Sequence, residues 1–345
     1  MRLLNEPIFL GANRKRAAQP TWVMQRPRVS VIDVRQTSMP PTEAISAGCA
    51  AIPLCVKALA FGRTRAYPCL SRRVVLAWRV SAFWRWRVCM AVHHAAFEGF
   101  STAAGTYARG RPGYPPEASD WLRNVLNLHA GKTVLEVGAG TGKFLPLLLE
   151  SGAGVIALEP VDAMSIELTR RFPEVKTLTG TADQIGLPDA SVDAVVCAQA
   201  FHWFATPEAV AEMRRVLRPG GVLGLIWNGR DTRVPWVAAM AAIIDRHEGD
   251  APRYQTGKWR QVFPAKGFTT LDERHARNLH TGNPDQVIVD RALSTSFIAA
   301  LPAEQRSEIE RQLRMLIKDT AELAGRAEII LPYDTLMAAF RKTGP

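Results

Sequence analysis

The residues most able to do chemistry in this sequence stand in the stretch TVLEVGAGTGKF, at positions 133–144. Three glycines, Gly138, Gly140 and Gly142, follow an apolar run that carries a single acid, Glu136. Glycine lets a backbone approach a ligand with no side chain in the way. The free N–H groups at the start of a following helix then face a polar or anionic group. The stretch therefore predicts a nucleotide-type binding site at the end of a strand.

The spacing of the glycines separates two classes of ligand. A dinucleotide site has the pattern G-x-G-x-x-G, whose third glycine packs the helix against the strand. Here the third glycine is Gly142, and Lys143 stands where that pattern needs glycine. A carboxylate such as Glu136 suits the ammonium group of S-adenosylmethionine, whereas a second acid, Glu159, suits ribose hydroxyls in either class. We therefore expect S-adenosylmethionine, with a nicotinamide dinucleotide as the alternative.

The segments around this turn alternate between short apolar runs and helical patterns. Strands are predicted in TVLEVGA, GVIALEP and VLGLIWN, in the segment that begins VKTLTG, and at Ala194–Ala198. Helices are predicted in GKFLPLLLESG, VDAMSIELTRRFP and TPEAVAEMRRVLRPGG, the last with Thr206 as its N-cap, and later in PWVAAMAAIIDRH, NPDQVIVDRALSTSF and PAEQRSEIERQLRMLIKD. Apolar strands that alternate with helices are typical of a parallel sheet covered on both faces. The predicted fold class is therefore α/β.

Several of these stretches, in this order, resemble the class I S-adenosylmethionine-dependent methyltransferases that act on small molecules: VLEVGAGTGKF, VIALEP, GTADQIGLPDASVDAVVCAQAFHWF and VLRPGGVLGLIWN. The opening YARGRPGYP, with HWF, PRYQTGKWRQVF and LPYDT, is similar to the trans-aconitate methyltransferase-like subgroup. The resemblance covers about residues 96–345. It implies a Rossmann-like three-layer sandwich with a seven-stranded, mostly parallel sheet, an antiparallel last strand and a helical lid at about residues 283–320.

The resemblance also implies a set of residues around S-adenosylmethionine. They are Glu136, Gly138, Ala139, Gly140, Gly142, Glu159, Ala182, Asp183, Gln199, Tyr107 and Arg111. In this assignment Glu136 and the glycine turn hold the methionine part, and Glu159 binds the ribose. Ala182 and Asp183 lie beside the adenine, although Thr181 stands where many relatives have an aspartate. Gln199 lies near the sulfonium, and Tyr107 and Arg111 fold over the cofactor.

His202 follows the fourth predicted strand, at the sheet edge where ligands of such folds bind. Two interpretations stay open: it removes a proton from the methyl acceptor or orients it, or it is a structural histidine beside Trp203. The candidate wall of an acceptor pocket is Tyr114, Trp203, Asn228, Trp236 and Arg291. With Ser294 and Ser296, Arg291 is also a candidate anchor for an acidic substrate. We therefore predict methyl transfer to a small molecule, at a carboxylate or a hydroxyl group. A nicotinamide-dependent oxidoreductase and a non-catalytic S-adenosylmethionine-binding protein are the alternatives.

The charge of the chain lies in its first quarter. Residues 1–89 hold 15 Lys and Arg against 3 Asp and Glu, a net +12, whereas residues 90–345 hold 28 against 29, a net −1. Residues 1–89 also lack a sustained period, so they are predicted to be disordered or non-native, and residues 90–345 to be the methyltransferase domain. An upstream start codon, a transit peptide and a basic arm for nucleic acid or a membrane surface are the competing explanations. A chain that begins at Met90 should fold and bind the cofactor.

Several other classes of function lack a signal. The near-neutral charge of residues 90–345 argues against nucleic acid as the substrate, and no uncharged apolar run is long enough to span a membrane. His93 and His94 have no matching ligand spacing, so no metal site is predicted. Cys197 is the single cysteine after residue 89, which excludes a disulfide framework there. We expect a cytoplasmic protein, and its oligomeric state is left open.

Overall fold

The strands of the predicted sheet form in the computed structural model, which describes residues 111–344. Within this range they are β1 (Thr133–Val137), β2 (Gly154–Leu158), β3 (Lys176–Leu178), β4 (Val192–Ala198), β5 (Leu217–Arg230), β6 (Phe268–Gly282) and β7 (Ile329–Lys342). The predictions for residues 1–89 and for Tyr107 lie outside the described residues.

One sheet contains all seven of these strands, in the spatial order β3-β2-β1-β4-β5-β7-β6. Strands β1 to β5 pair in parallel, whereas β7 is antiparallel to both β5 and β6. The predicted mostly parallel sheet with an antiparallel last strand is confirmed. Strand β6 closes one edge and exposes many of its charged side chains, as edge strands do to avoid pairing with another chain.

The central strands are buried on both faces, as their apolar sequences predict. Successive side chains of β4 point to opposite faces: Val195 and Cys197 belong to one buried cluster, whereas Ala194 and Val196 belong to another. Helices therefore have to cover both faces of the sheet, because each face presents a continuous apolar surface.

The helices that cover the sheet in the described range are α1 (Pro116–Asn124), α2 (Leu145–Glu150), α3 (Asp162–Arg171), α4 (Pro207–Val216) and α5 (Pro235–Asp245). Helix α4 begins as predicted: the Oγ1 atom of Thr206 accepts a hydrogen bond from the N–H of Ala209 at 3.2 Å, and Pro207 is the first helical residue. Such a cap is worth about 1 kcal/mol.

Further helical segments lie between β6 and β7. They are a π-helix at Asp285–Asp290 and the helices α6 (Arg291–Leu293), α7 (Ser296–Ala299) and α8 (Ala303–Asp319). The single helix predicted over NPDQVIVDRALSTSF is divided, because Thr295 has an extended backbone with ψ at 130°. Together with α5 these segments bury a third apolar cluster, which includes Trp236, Ile288, Phe297 and Leu313.

No helix among residues 111–344 is long and apolar enough to cross a membrane.

Candidate active site

An open cavity of about 1100 Å³ lies beyond the carboxyl ends of β1, β2 and β4. Three loops that follow these strands contribute to its lining: Val137–Gly140, Glu159–Val161 and Gln199–Ala200. Parallel strands place their carboxyl ends at one edge, and ligands of α/β sheets bind in the crevice there. We call it the acidic cavity, because two of its lining residues are the buried acids Glu136 and Glu159.

The three glycines of the turn have different roles, although all have positive φ angles. A Cβ atom on Gly142 would come within 2.7 Å of the Phe172 ring, and one on Gly138 within 2.7 Å of the Cβ of Ala200. These two positions need glycine for packing, and Gly142 does not line the cavity. Gly140 does line it, and a Cβ there would meet no atom within 4 Å. Gly140 is therefore the glycine that leaves room for a ligand.

Glu159 closes the loop between β2 and α3. Its carboxylate accepts hydrogen bonds from the N–H groups of Gly140 at 2.8 Å and Val161 at 2.9 Å. Burial raises the pKa of Glu159 to about 7, and these two hydrogen bonds act in the opposite direction. The acid thus spans the glycine turn and the end of β2, where the sequence predicts a ribose-binding carboxylate.

Glu136 is the more unusual acid, because it lies inside β1 with 1% of its surface exposed. Its Oε2 atom is buried and has no hydrogen-bond partner among the described residues. Burial raises the pKa of Glu136 well above its ordinary value, and the charge of Glu159 raises it further. Leaving a buried polar group unsatisfied costs about 1–3 kcal/mol. A ligand with a cationic donor would remove that cost.

The other residues predicted around the cofactor divide into two groups. Ala139, Ala182, Gln199 and Arg111 line the acidic cavity. Gln199 has a φ of 58°, a left-handed conformation that is uncommon for residues other than glycine. Asp183 is exposed and, like Gly142, is not among the lining residues, so the structure does not bring either of them to the cavity.

Sequence reasoning missed several lining residues of the acidic cavity: Pro112, Lys143, Phe144, Pro160, Met164, Phe204 and Tyr333. Two of them lie within or beside predicted motifs, because Phe144 ends the glycine stretch and Tyr333 lies in LPYDT. The Phe144 ring packs edge to face against Tyr114, with 4.7 Å between the ring centroids. This contact holds the predicted wall residue Tyr114 at the cavity, which it lines.

A second cavity, of about 620 Å³, adjoins the first. The two share five lining residues: Arg111, Gln199, Trp203, Asn228 and Arg291. Arg230, Arg253, Thr295 and Ser296 line only the second one. We call it the arginine cavity. Ser294 does not line it; the Ser294 hydroxyl donates to the backbone oxygen of Arg291 at 2.8 Å, inside the protein.

The arginines of this cavity differ in their partners. Arg230 pairs with Asp245 at 2.9 Å, and Arg253 pairs with Asp245 and with Glu248, each at 3.0 Å. Arg291 donates to neutral oxygens instead, from Nε to the Tyr333 hydroxyl at 3.2 Å and from Nη1 to Thr295 Oγ1 at 3.3 Å.

Arg291 is buried, and no carboxylate of residues 111–344 forms an ion pair with it. Burial and then the charge of Arg291 lower the pKa of Arg230, which indicates crowding of positive charge. An anionic ligand would offset that crowding, because it brings the opposite charge into a poorly solvated site.

His202 lines the arginine cavity from the short 3₁₀ helix Phe201–Trp203 that follows β4. The indole N–H of Trp227 donates a hydrogen bond to its Nδ1 atom at 3.1 Å. Burial lowers the pKa of His202 to about 3, and the charges of Arg253 and Arg111 contribute in the same direction. The imidazole is therefore uncharged at neutral pH.

The remaining candidates for the acceptor wall have distinct places. Trp203 lines both cavities, whereas Trp236 lies in the third apolar cluster and lines neither. Asn228 lines both, and both polar atoms of its side chain are hydrogen-bonded: Nδ2 donates to the backbone oxygen of Gly113 at 2.9 Å, and Oδ1 accepts from Asn278 and Thr335. Asn228 thus fastens the segment before α1 to β5, β6 and β7.

Within residues 111–344 no group of three or more His, Cys, Asp or Glu side chains could hold a metal ion.

Comparison with known proteins agrees with this arrangement. The family model for a methyltransferase domain matches residues 135–225. An uncharacterized methyltransferase of Mycobacterium tuberculosis is 41% identical over 237 residues, which are 69% of this chain and 93% of that protein. An uncharacterized methyltransferase-like protein of Schizosaccharomyces pombe is 36% identical over 254 residues, 70% of this chain and 95% of that protein. The structure of a putative type II methyltransferase from Anaeromyxobacter dehalogenans aligns with a TM-score of 0.50 at 26% identity, over 68% of this chain and 97% of that one.

Proposed function

Because the chain belongs to the class I S-adenosylmethionine-dependent methyltransferases, we propose that it transfers the methyl group of S-adenosylmethionine to a carboxylate of a small anionic molecule. The observation that carries the proposal is the adjacency of two cavities, one lined by the buried acids Glu136 and Glu159 and one whose charged lining residues are all arginines. The acidic acceptor agrees with the resemblance to the trans-aconitate methyltransferase-like subgroup, and that finer assignment stays a prediction.

The residues of the acidic cavity fit S-adenosylmethionine. The buried, unpartnered oxygen of Glu136 suits the ammonium group of the methionine part, because it needs a cationic donor. The Gly140 position leaves space beside the turn, and Glu159 offers a carboxylate to the ribose hydroxyls. When bound, the cofactor supplies an electrophilic methyl group on a positively charged sulfur.

The residues of the arginine cavity favour an anionic acceptor. Arg291 lines both cavities, so a carboxylate held by its guanidinium lies next to the cofactor site. Guanidinium groups bind carboxylates through two parallel hydrogen bonds, which fix orientation as well as position. Orientation of this kind is the main contribution that a protein makes to a displacement on an activated donor.

A carboxylate acceptor also matches the protonation of the site. A carboxylate oxygen that takes the methyl group becomes a methyl ester, and the positive sulfur receives the electrons of the broken C–S bond to become a neutral thioether. No proton has to leave the acceptor. A hydroxyl acceptor would need a base, and the low pKa of His202, about 3, makes that ring a poor one.

A binding titration and a product assay, both on the full chain, test the proposal. Calorimetry should show binding of S-adenosylmethionine and none of NAD⁺ or NADH; binding of the dinucleotide alone would support the oxidoreductase alternative and overturn the proposal. A mixture of small metabolites with methyl-labelled S-adenosylmethionine should then yield labelled products. Cofactor binding without any product would identify a non-catalytic binding protein.

A further inference from the structure

The hydrogen bond between Trp227 and His202 determines which nitrogen of the imidazole carries the proton. An indole N–H can only donate. Because it donates to Nδ1 of His202 at 3.1 Å, Nδ1 is the acceptor and carries no hydrogen. In the uncharged ring the single proton therefore lies on Nε2.

The donor in this pair is held firmly. Trp227 is fully buried in β5. Its ring stacks on the Tyr254 ring, with 5.7 Å between the ring centroids, and packs against the Trp259 ring, with 4.5 Å between the centroids. A ring fixed in this way keeps its N–H directed at Nδ1, so the tautomer of His202 does not depend on a mobile group.

The charges around His202 oppose a second proton on the ring. Arg253 and Arg111 face it within the arginine cavity, and both positive charges disfavour an imidazolium. Burial acts in the same direction. The histidine is thus a neutral group with one N–H to donate, in a cavity whose charged lining residues are arginines, which can only donate.

The position of that hydrogen gives His202 a role. Its ring lines the arginine cavity, and with Nδ1 occupied by the indole, Nε2 is the nitrogen left for a ligand. No described residue accepts a hydrogen bond from Nε2. We infer that Trp227 fixes His202 as a hydrogen-bond donor that holds a carboxylate oxygen of the methyl acceptor, and that His202 takes no proton during the reaction. This inference rests on the proposed function and deepens it.

The consequence is a selection among acceptors. A carboxylate accepts a hydrogen bond from the Nε2–H group and reacts without losing a proton. A neutral alcohol in the same place would meet arginines and a histidine whose Nε2 already carries a hydrogen, so its reaction would lack a base at these groups to take its proton. Trp227 acts through His202 and is a positioning residue, whereas His202 contacts the acceptor.

The tautomer can be measured without any acceptor. Nitrogen-15 NMR of the full chain labelled in histidine, with His202→Gln to identify the signal, should show a neutral ring protonated at Nε2 between pH 5 and 8. A ring protonated at Nδ1, or one that becomes charged within this range, would overturn the inference even if the protein proves to be a methyltransferase.

The role of the hydrogen can be measured by paired variants. Succinate, glutarate and tricarballylate serve as carboxylate probes in the presence of S-adenosylhomocysteine, and the tightest-binding one is used for the comparison. His202→Leu should weaken its binding by ~10–100-fold, the scale of a hydrogen bond to a charged group. His202→Gln, whose side-chain amide can donate but cannot act as a base, should stay within about 5-fold of the parent protein.

The outcomes of this comparison separate the roles clearly. Equal losses of probe affinity in both variants would show that a donated hydrogen is not what holds the carboxylate, and no loss in either would remove His202 from the acceptor site; both results overturn the inference. S-adenosylmethionine affinity, measured for the same proteins, should not change. If none of the probes binds the parent protein, the carboxylate part of the proposed function fails, while the NMR result still judges the tautomer.

Discussion

The acidic cavity and the arginine cavity share five lining residues, but the buried acids Glu136 and Glu159 line the first and not the second. The first is built from loops that directly follow parallel strands, whereas the second is built from β5, a short 3₁₀ segment and the helices after β6. In both, charged groups are buried at a cost: the acids have raised pKa values and Arg230 has a lowered one. Glu136 and Arg291 are the buried groups that lack a partner of opposite charge among the described residues, and a cationic and an anionic ligand, respectively, would supply one.

The contrast explains why one site can hold two ligands side by side. S-adenosylmethionine carries positive charge on its sulfur and its ammonium group, and a carboxylate acceptor carries negative charge. The buried acids of the first cavity favour the ammonium group, and the arginines of the second favour the carboxylate, so a reversed arrangement of the two ligands is disfavoured. Selectivity thus arises from electrostatics before any detail of shape.

The largest effect is expected from Arg291, which faces both cavities. Arg291→Met should lower kcat/KM for an acidic acceptor by roughly 10²–10³-fold, because removing one partner of a buried charge pair costs about 2–5 kcal/mol. The kcat/KM of Arg291→Lys should lie between those of Arg291→Met and the parent protein, since lysine keeps the charge but lacks the planar guanidinium group. Steady-state kinetics measures the loss, and Arg311→Met, which removes an exposed arginine of α8, is the matched control. An undiminished kcat/KM in Arg291→Met would remove the acceptor from the arginine cavity.

Two smaller effects are expected from replacing Glu136: a loss of cofactor affinity and a gain in stability of the cofactor-free protein. Glu136→Gln should weaken S-adenosylmethionine binding by about 1.5–3 kcal/mol, the scale of a charge-assisted hydrogen bond. The same change should stabilise the cofactor-free protein at pH 8 by roughly 1–2 kcal/mol, because burial raises the pKa of Glu136 and so makes folding less favourable at high pH, whereas an amide does not titrate. Calorimetry and thermal unfolding check the two signs, with the exposed Glu150→Gln as control. A loss in both quantities would identify Glu136 as a structural acid.

The next effect is a pH dependence of cofactor affinity. The pKa of Glu159 is raised to about 7 and that of Glu136 is raised as well, so the free protein holds protons that a cationic ligand displaces. Affinity should therefore rise with pH by up to about tenfold per unit up to about pH 7, where Glu159 becomes ionised. The cofactor-free protein should lose stability as the pH rises from the unfolded-state value of about 4.3 towards 7. Calorimetry from pH 5.5 to 8.5 measures the affinity for S-adenosylmethionine. An affinity that falls as the pH rises would contradict the raised pKa values of the two acids.

The smallest effect is expected from alanine at Gly140, the glycine of the turn that leaves room for the ligand. Gly140 and Gly131 both have positive φ and open space for a Cβ atom, but only Gly140 lines the acidic cavity. Alanine at either position should lower the free energy of unfolding by about 1 kcal/mol. Only Gly140→Ala should also weaken S-adenosylmethionine binding, by roughly 3–10-fold, since its methyl group enters the space left for the ligand. Equal affinities in the two variants would show that the ligand passes elsewhere.

The sequence predicted the acidic cavity well, because its residues lie in short motifs. Glu136, Gly140 and Glu159 each follow from an apolar run that ends in a turn, and parallel strands bring such turns to one edge. The five strands read from apolar runs were found. Strand β6 gave no such signal, because an edge strand such as FTTLDERHARNLHTG is largely polar and lacks a continuous apolar face.

The arginine cavity could not be predicted from local patterns. Arg230 and Arg253 are 23 positions apart, and they line one cavity because Tyr254, next to Arg253, stacks on Trp227 of β5. A tryptophan on a helix gives no indication of which side it faces, and Trp236 was therefore assigned to a wall that it does not line. Gly142 was assigned to the ligand, although its missing side chain makes room for Phe172. The cytoplasmic location and the interpretation of residues 1–89 stay predictions.

The most direct test of the central claim is methyl transfer to a matched pair of acceptors that differ only in charge. Labelled S-adenosylmethionine is supplied with tricarballylate and, separately, with its triamide, and the products are identified by mass spectrometry. An acceptor cavity whose charged lining residues are all arginines predicts a methyl ester from the acid and no product from the amide. Labelling of the amide at a similar rate, or of nitrogen in preference to a carboxylate, would contradict the account.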